Sequence, residues 1–332
     1  MQLYLLLNDS CNLKCPFCIR GISKGAVIDE KKLELILARE CFKEYNLLLT
    51  GGEPTIHPKL NKIIEICTGK FKHISINTNG YLSGWIDDLK NREIHVQISV
   101  DGTREDHDEI RSGSSLKVYE HIEKTITKLE CSKISYNIAT TVSKHNVDSV
   151  LALAKDVQQF EKARYWKVSP QLPFGCGNIS DILNIQEWNE FVDKLISIAN
   201  IRLVIKKYFD FDLLDSVIKE NPNFENSKKT NCGNVKDKIY VYPDFTVYPC
   251  TCLTDFPLGN LLETNLNQII NSEKAKLFTN YSLSDDSACK SCKYLKLCNG
   301  GCIGMSYHYF GKLGKGDYRC PKLKKKEHLD LK

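Results

Sequence analysis

The stretch Cys11-Asn12-Leu13-Lys14-Cys15-Pro16-Phe17-Cys18 follows directly on the apolar run Gln2–Asn8. Its cysteines have CxxxCxxC spacing in a tight loop, and three thiolates so placed can hold three irons of a 4Fe–4S cube. The fourth iron then has no protein ligand and is open to a small molecule. Zinc is the alternative, but structural zinc normally takes four protein ligands, and no fourth candidate lies near this loop. The segment Met1 to Leu7 lacks a basic leader and runs straight into the cysteines, so it reads as a strand and not as a signal peptide.

Outward from that loop, short apolar runs alternate with helical patterns. The expected strands are Gln2–Asn8, Asn46–Thr50, His73–Asn77, Ile94–Ser99, Ile134–Thr141 and Arg164–Ser169. Between them, Lys31–Phe42, Leu60–Cys67, Leu116–Leu129 and Val147–Phe160 carry apolar residues at helical spacing. A repeated βα pattern implies a parallel sheet, and six units suit an incomplete barrel, a partial (β/α)6 fold of the α/β class over residues 1–205. In such folds the functional loops gather at the carboxyl ends of the strands. Residues 206–231 read as a linker, with Asn221-Pro222-Asn223 breaking a helix and a boundary expected near residue 225. Residues 232–332 are turn-rich and cysteine-rich, with Ile239–Tyr242 and Thr246–Tyr248 flanking Pro243-Asp244-Phe245 as a hairpin.

Composition narrows the classes. The chain of 332 residues holds 15 cysteines, without a secretory signal. Thiols in a cytoplasmic chain stay reduced, so a disulfide scaffold is disfavoured and clustered cysteines read as metal ligands. No stretch approaches the ~20 apolar residues of a membrane span. The net charge of +5 is mild, and the basic run Lys322–Lys326 reads as a solvated tail, not a nucleic-acid surface.

Three further motifs follow the expected strands: Gly51-Gly52-Glu53-Pro54, Asn77-Thr78-Asn79-Gly80 and Ser99-Val100-Asp101-Gly102, with Arg111 beyond the last. Glycines allow close backbone approach, and a carboxylate can pair with an ammonium. With the aromatic Phe17 before Cys18, this ordered set resembles the radical S-adenosylmethionine (SAM) superfamily over roughly residues 1–200. The resemblance implies that Cys11, Cys15 and Cys18 hold a SAM-binding 4Fe–4S cluster. It also implies that Gly51, Gly52 and Glu53 meet the SAM amino group, Ser99 and Arg111 contact SAM, and Leu172 packs on the adenine. An electron donor such as flavodoxin or ferredoxin would then be needed.

The C-terminal pattern is Cys289-x2-Cys292-x5-Cys298-x3-Cys302 followed by Cys320, with Cys232 and Cys250 upstream. Paired CxxC motifs often bind zinc, but this spacing resembles the SPASM domain appended to many radical SAM enzymes. The resemblance implies one or two auxiliary 4Fe–4S clusters. One would use Cys289, Cys292, Cys298 and Cys320. The other would use Cys232, Cys250 and Cys302, with Cys252, Cys176 or the substrate as fourth ligand. A glycine expected five residues before Cys250 is Phe245 in this chain.

Cys41, Cys67 and Cys131 fall on or beside helices and read as core residues. Cys176, in Pro173-Phe174-Gly175-Cys176-Gly177, and Cys252 are candidate catalytic thiols that could return a hydrogen atom. SPASM enzymes mostly act on peptides or proteins, so the expected activity is maturation of a ribosomally made peptide by crosslinking or epimerisation. The alternatives are a sulfatase-type formylglycine-forming maturase and an oxidase of a small sugar-like alcohol. Formylglycine-forming relatives carry an aspartate after the second SPASM cysteine, where this chain has Thr251. With the chain starting at the first strand, leader recognition would fall to a separate peptide-binding protein. A non-catalytic electron-transfer protein is the other class, and it would not need Gly51-Gly52-Glu53.

Overall fold

A computed structural model describes the chain except residues 22–24, 90–91, 114, 158–161, 221–230 and 324–332. The expected alternation is present: β1 (Gln2–Leu6), α1 (Glu30–Arg39), β2 (Phe42–Thr50), α2 (Leu60–Cys67), β3 (Phe71–Thr78), β4 (Ile94–Ser99), α3 (Arg104–Ser112), α4 (Val118–Cys131), β5 (Tyr136–Val142), α5 (Val147–Val157) and β6 (Ala163–Pro170). Then come α6 (Ile185–Ile198), β7 (Leu203–Val204), α7 (Phe211–Glu220), β8 (Lys238–Val241), β9 (Thr246–Tyr248) and β10 (Gly259–Asn260). Four short helices follow, α8 (Leu266–Ile270), α9 (Glu273–Thr279), α10 (Leu295–Cys298) and α11 (Ile303–Phe310).

All strands join one sheet in the order β10-β9-β8-β1-β2-β3-β4-β5-β6-β7. From β1 to β7 every pairing is parallel, as helical crossovers require. The C-terminal hairpin is not a separate sheet: β8 pairs parallel to β1, Gln2 opposite Lys238 through Leu5 opposite Val241. The cysteine-rich region is thereby held by backbone hydrogen bonds to the strand that feeds the N-terminal cysteine loop.

Side chains alternate along these strands. In β4, Ile94, Val96 and Ile98 are buried while His95, Gln97 and Ser99 are half-buried on the other face. The apolar set packs outward, where α1 contributes Leu33, Ile36 and Leu37 to the core. The N-cap Asp29 anchors α1 by accepting from Lys31 N (2.9 Å) and Lys32 N (3.1 Å). The opposite face turns inward and is polar, an arrangement that suits a barrel holding a ligand in place of a packed core.

Several local expectations are corrected. The helix expected to reach Phe42 ends at Arg39, because Glu40 is extended (φ −124°, ψ 153°) and Phe42 opens β2 opposite Phe71. Residues 206–231 are not purely linker, since α7 lies within them; the break at Asn221-Pro222-Asn223 and the boundary near residue 225 fall outside the described residues, as do the ends of the Val147–Phe160 helix and of the basic run. Cys67 is buried as expected, but Cys41 and Cys131 are exposed: one precedes β2 and the other ends α4, both clear of the packed faces. The hairpin forms without its glycine. Phe245 adopts φ 66° and is 2% exposed. A non-glycine residue there costs of order 1–3 kcal/mol, and full burial of a phenylalanine contributes about the same in return. Its N–H donates to Tyr242 O (2.8 Å) and its carbonyl accepts from Leu261 N (3.0 Å).

Candidate functional site

Cys11, Cys15 and Cys18 lie in the loop after β1, at the carboxyl end of the sheet. Cys18 N–H donates to Cys15 O (3.1 Å) and Leu13 N–H points at Cys11 Sγ (3.4 Å). The loop is clamped against the next strand end: a Cβ on Gly52 would lie 2.1 Å from Ser10 O, and one on Gly51 would lie 2.4 Å from Asn8 O. The two glycines therefore serve contact with the protein's own cysteine loop, a role the sequence reading did not separate from contact with a ligand.

A cavity of about 400 Å³ opens at this end, lined by Cys11, Cys15, Phe17, Cys18, Gly51, Gly52, Glu53, Ser99, Arg111 and Leu172 among others. The strand-end motifs thus converge on one chamber. Glu53 is 1% exposed, and its carboxylate accepts from Thr55 N (3.0 Å), Thr55 Oγ1 (2.7 Å), Thr78 Oγ1 (2.8 Å) and Asn79 N (2.7 Å). Burial raises its pKa, and these donors oppose the rise. The side chain stitches β2 to β3, while its Oε2, with one donor, keeps capacity to accept another.

Arg111 projects from α3, and its Nε and Nη2 donate to Asp101 Oδ2 at 2.7 and 2.5 Å. Asp101 Oδ1 accepts from Thr141 N (2.8 Å). Burial works against the guanidinium charge, but the Asp101 carboxylate overrides it and raises the Arg111 pKa. The guanidinium carbon lies 5.7 Å from the Phe17 ring centroid, at cation–π range. His107 accepts from Asp101 N through Nδ1 (3.0 Å), and burial, aided by Arg111, lowers its pKa well below the usual range.

The C-terminal thiols form two groups. Cys289, Cys292, Cys298 and Cys320 line one small cavity of about 30 Å³ with Phe209, Tyr294 and Asp317. In the other group, Cys232 lies beside Cys302 and Cys250 beside Cys252, with the Lys238 ammonium near Cys232. Interaction with the Cys302 thiol, with help from the Lys238 charge, pulls the Cys232 thiol down to about 5. Cys176 belongs to neither group: it is exposed, and its N–H donates to Cys18 O (2.9 Å).

Residues 5–157 match the family model of the radical SAM superfamily, and residues 232–293 match that of SPASM, an iron–sulfur cluster-binding domain. Residues 5–157 are a domain of the radical SAM superfamily. A cysteine-type anaerobic sulfatase-maturating enzyme of Clostridium novyi (strain NT) is 29% identical over 89% of this chain and 85% of its own length. The antilisterial bacteriocin subtilosin biosynthesis protein AlbA of Bacillus subtilis (strain 168) is 27% identical over 89% of this chain and 65% of its own. In fold, Streptococcus suis SuiB bound to precursor peptide SuiA matches with a TM-score of 0.78 at 18% identity, over 96% of this chain and 75% of that one.

The cofactors of this radical SAM/SPASM enzyme are SAM and 4Fe–4S clusters. The chamber fits them. Three thiols face it, its volume is that of an ordinary ligand pocket, and the lining residue Asn77 has a buried Oδ1 with no partner among the described residues. Such an orphan acceptor awaits a donor. The sequence reading missed Tyr4, Arg20, Gln97, Lys167 and Tyr240, which also line the chamber. For Gln97 and Lys167 the signal was the alternation in Ile94–Ser99 and Trp166-Lys167-Val168-Ser169, where inward positions are polar. Burial lowers the Lys167 pKa, with a contribution from Lys238. Among the described residues no helix is long and apolar enough to cross a membrane.

Proposed function

We propose that this enzyme is a maturase that removes a hydrogen atom from a residue of a ribosomally made peptide, leading to a crosslink or an inverted centre. The chemistry supplied by the cluster and SAM when bound is one-electron cleavage of the sulfonium, releasing a 5′-deoxyadenosyl radical that takes a hydrogen atom. The chain's residues would bind and orient. Cys11, Cys15 and Cys18 would hold the cluster. Glu53, Ser99 and Arg111 would meet the polar end of SAM and Leu172 its base. The walls would keep water from the radical.

One observation carries the choice of reaction. Among the described residues lining the chamber Glu53 is the only carboxylate, and four donors already engage it. At the position where formylglycine-forming relatives place an aspartate base, Thr251 receives a hydrogen bond from Arg20. Formylglycine formation requires a proton to leave the substrate thiol or hydroxyl, and among the described lining residues the one carboxylate is already engaged by four donors. The second reading, a sulfatase-type maturase, is supported by the Clostridium novyi relative.

The test is anaerobic reconstitution with SAM, dithionite and peptides encoded beside the gene, with 5′-deoxyadenosine and peptide mass as readouts. Loss of two hydrogens without an aldehyde supports crosslinking. Unchanged mass in normal water with one deuterium gained in heavy water supports epimerisation. A hydrazide-reactive aldehyde on a cysteine or serine would replace the proposal with the second reading.

A further inference from the structure

We infer that Cys252 is the fourth ligand of the auxiliary centre built on Cys232, Cys250 and Cys302, so that this centre is closed by four thiolates and has no iron left for a substrate. The SPASM match spans residues 232–293 and ends before Cys302.

Three elements bring the sulfurs together. Cys250 and Cys252 occupy the turn after β9, where Cys252 N–H points at Cys250 Sγ (3.5 Å). Cys302 is the N-cap of α11, and Cys232 precedes β8. Gly304, in the first turn of α11, makes the approach possible: a Cβ built there would lie 3.1 Å from Cys252 Cβ and 3.9 Å from Cys302 Sγ. Any larger residue would press the helix away from Cys252. The thiols stand as two neighbouring pairs, Cys232 beside Cys302 and Cys250 beside Cys252, each close enough to act on the other's charge. No three described metal-binding side chains are set around a single ion. A cube, with a separate iron behind each sulfur, needs a wider spread, and the pairs would part as it forms.

The surroundings suit a shielded cluster. Cys252 and Cys302 pack against a small apolar group of Phe174, Met305 and Tyr318. The Lys238 ammonium lies close enough to Cys232 and Cys250 to act on their charge, offsetting the negative charge that four thiolates bring. The rival ligand Cys176 has its backbone tied to the N-terminal cysteine loop, its N–H on Cys18 O at 2.9 Å, and Gly175 beside it has no room for a Cβ, which would fall 2.3 Å from Cys18 O. A centre with four thiolates can exchange electrons but cannot coordinate a substrate, and Cys252 is then no hydrogen-atom donor.

The experiment uses the full chain with Cys11, Cys15 and Cys18 all changed to alanine, so that auxiliary clusters alone are counted. In that background Cys252→Ala, Cys252→Ser and Cys176→Ala are reconstituted with iron and sulfide, and iron, labile sulfide and the EPR spectrum of the reduced protein are recorded. The expected result is that Cys252→Ala loses up to half the iron, or keeps it with a spectrum that moves on adding 2-mercaptoethanol. Cys252→Ser should shift the spectrum, and Cys176→Ala should match its parent. Iron and spectrum unchanged in both Cys252 variants, or lost in Cys176→Ala, overturns the assignment. If the Cys252 variants do not fold, alkylation of the loaded parent chain decides. Cys252 should be protected while loaded and modified after iron removal. Modification while loaded, or protection in both states like Cys67, overturns it.

Discussion

Asp101→Asn tests the electrostatics of the chamber. Asp101 is fully buried and Arg111 is 8% exposed. One carboxylate oxygen takes two guanidinium N–H groups at 2.7 and 2.5 Å, and the other takes Thr141 N at 2.8 Å. Removing the negative charge leaves a buried guanidinium uncompensated, at a cost of about 3–5 kcal/mol. A protein's whole stability is about 5–15 kcal/mol, so the loss is large. For a chain of this length each kcal/mol moves the midpoint by about 2 °C, and a drop of about 5–10 °C is expected in anaerobic thermal unfolding followed by circular dichroism. The paired variant Asp101→Asn with Arg111→Gln removes both charges and should recover most of that stability, because an uncharged pair has little desolvation to offset. Formation of 5′-deoxyadenosine should stay low in both, since the guanidinium that stacks on Phe17 is mispositioned in one and absent in the other. A single variant within about 2 °C of the parent, or a double variant no more stable than the single, would refute this account of the pair.

Three further outcomes are expected. Gly52→Ala should lose the iron of the N-terminal cluster, read by iron content with the auxiliary clusters retained, because its Cβ would meet the Ser10 carbonyl at 2.1 Å and neither backbone can yield. Cys15→Ala should abolish SAM cleavage while keeping the auxiliary EPR signals; continued deoxyadenosine formation would show that the N-terminal loop does not hold the SAM-cleaving cluster. His107 has a folded-state pKa depressed by burial, so between its unfolded value near 6.5 and that lower value the unfolded chain binds more protons. Stability therefore falls as pH falls through this window. Glu53, raised by burial, acts in the opposite sense, its contribution falling as pH rises from the unfolded value toward the folded one. Urea unfolding at pH 7.5 and 5.5 should show a smaller pH effect in His107→Asn, whose side-chain oxygen can still accept from Asp101 N; equal slopes in parent and variant would remove His107 from the explanation.

The periodic parts of this protein are legible along the chain. The strand Ile94–Ser99 and the helix Leu60–Cys67 agree with their sequence readings to the residue, because alternation and helical spacing are properties of consecutive residues. The CxxxCxxC loop and the three strand-end motifs are equally local, and in a parallel βα fold the carboxyl ends of successive strands meet at one face, so their convergence on one chamber could be anticipated. What depends on residues distant in sequence could not. Nothing near Phe245 announces that burial would hold it at a glycine's dihedral. The pairing of Arg111 with Asp101, the clamp of Gly52 on Ser10 and the inward placement of Arg20 and Tyr240 appear only once separate strands are laid side by side. The C-terminal cysteines show the division most plainly. Their spacing reads as a set of metal ligands, but which thiols lie near one another depends on β8 joining the sheet beside β1 and on Gly304 leaving room for Cys252 beside the first turn of α11. Spacing constrains partners only within a few residues, and beyond that range packing decides.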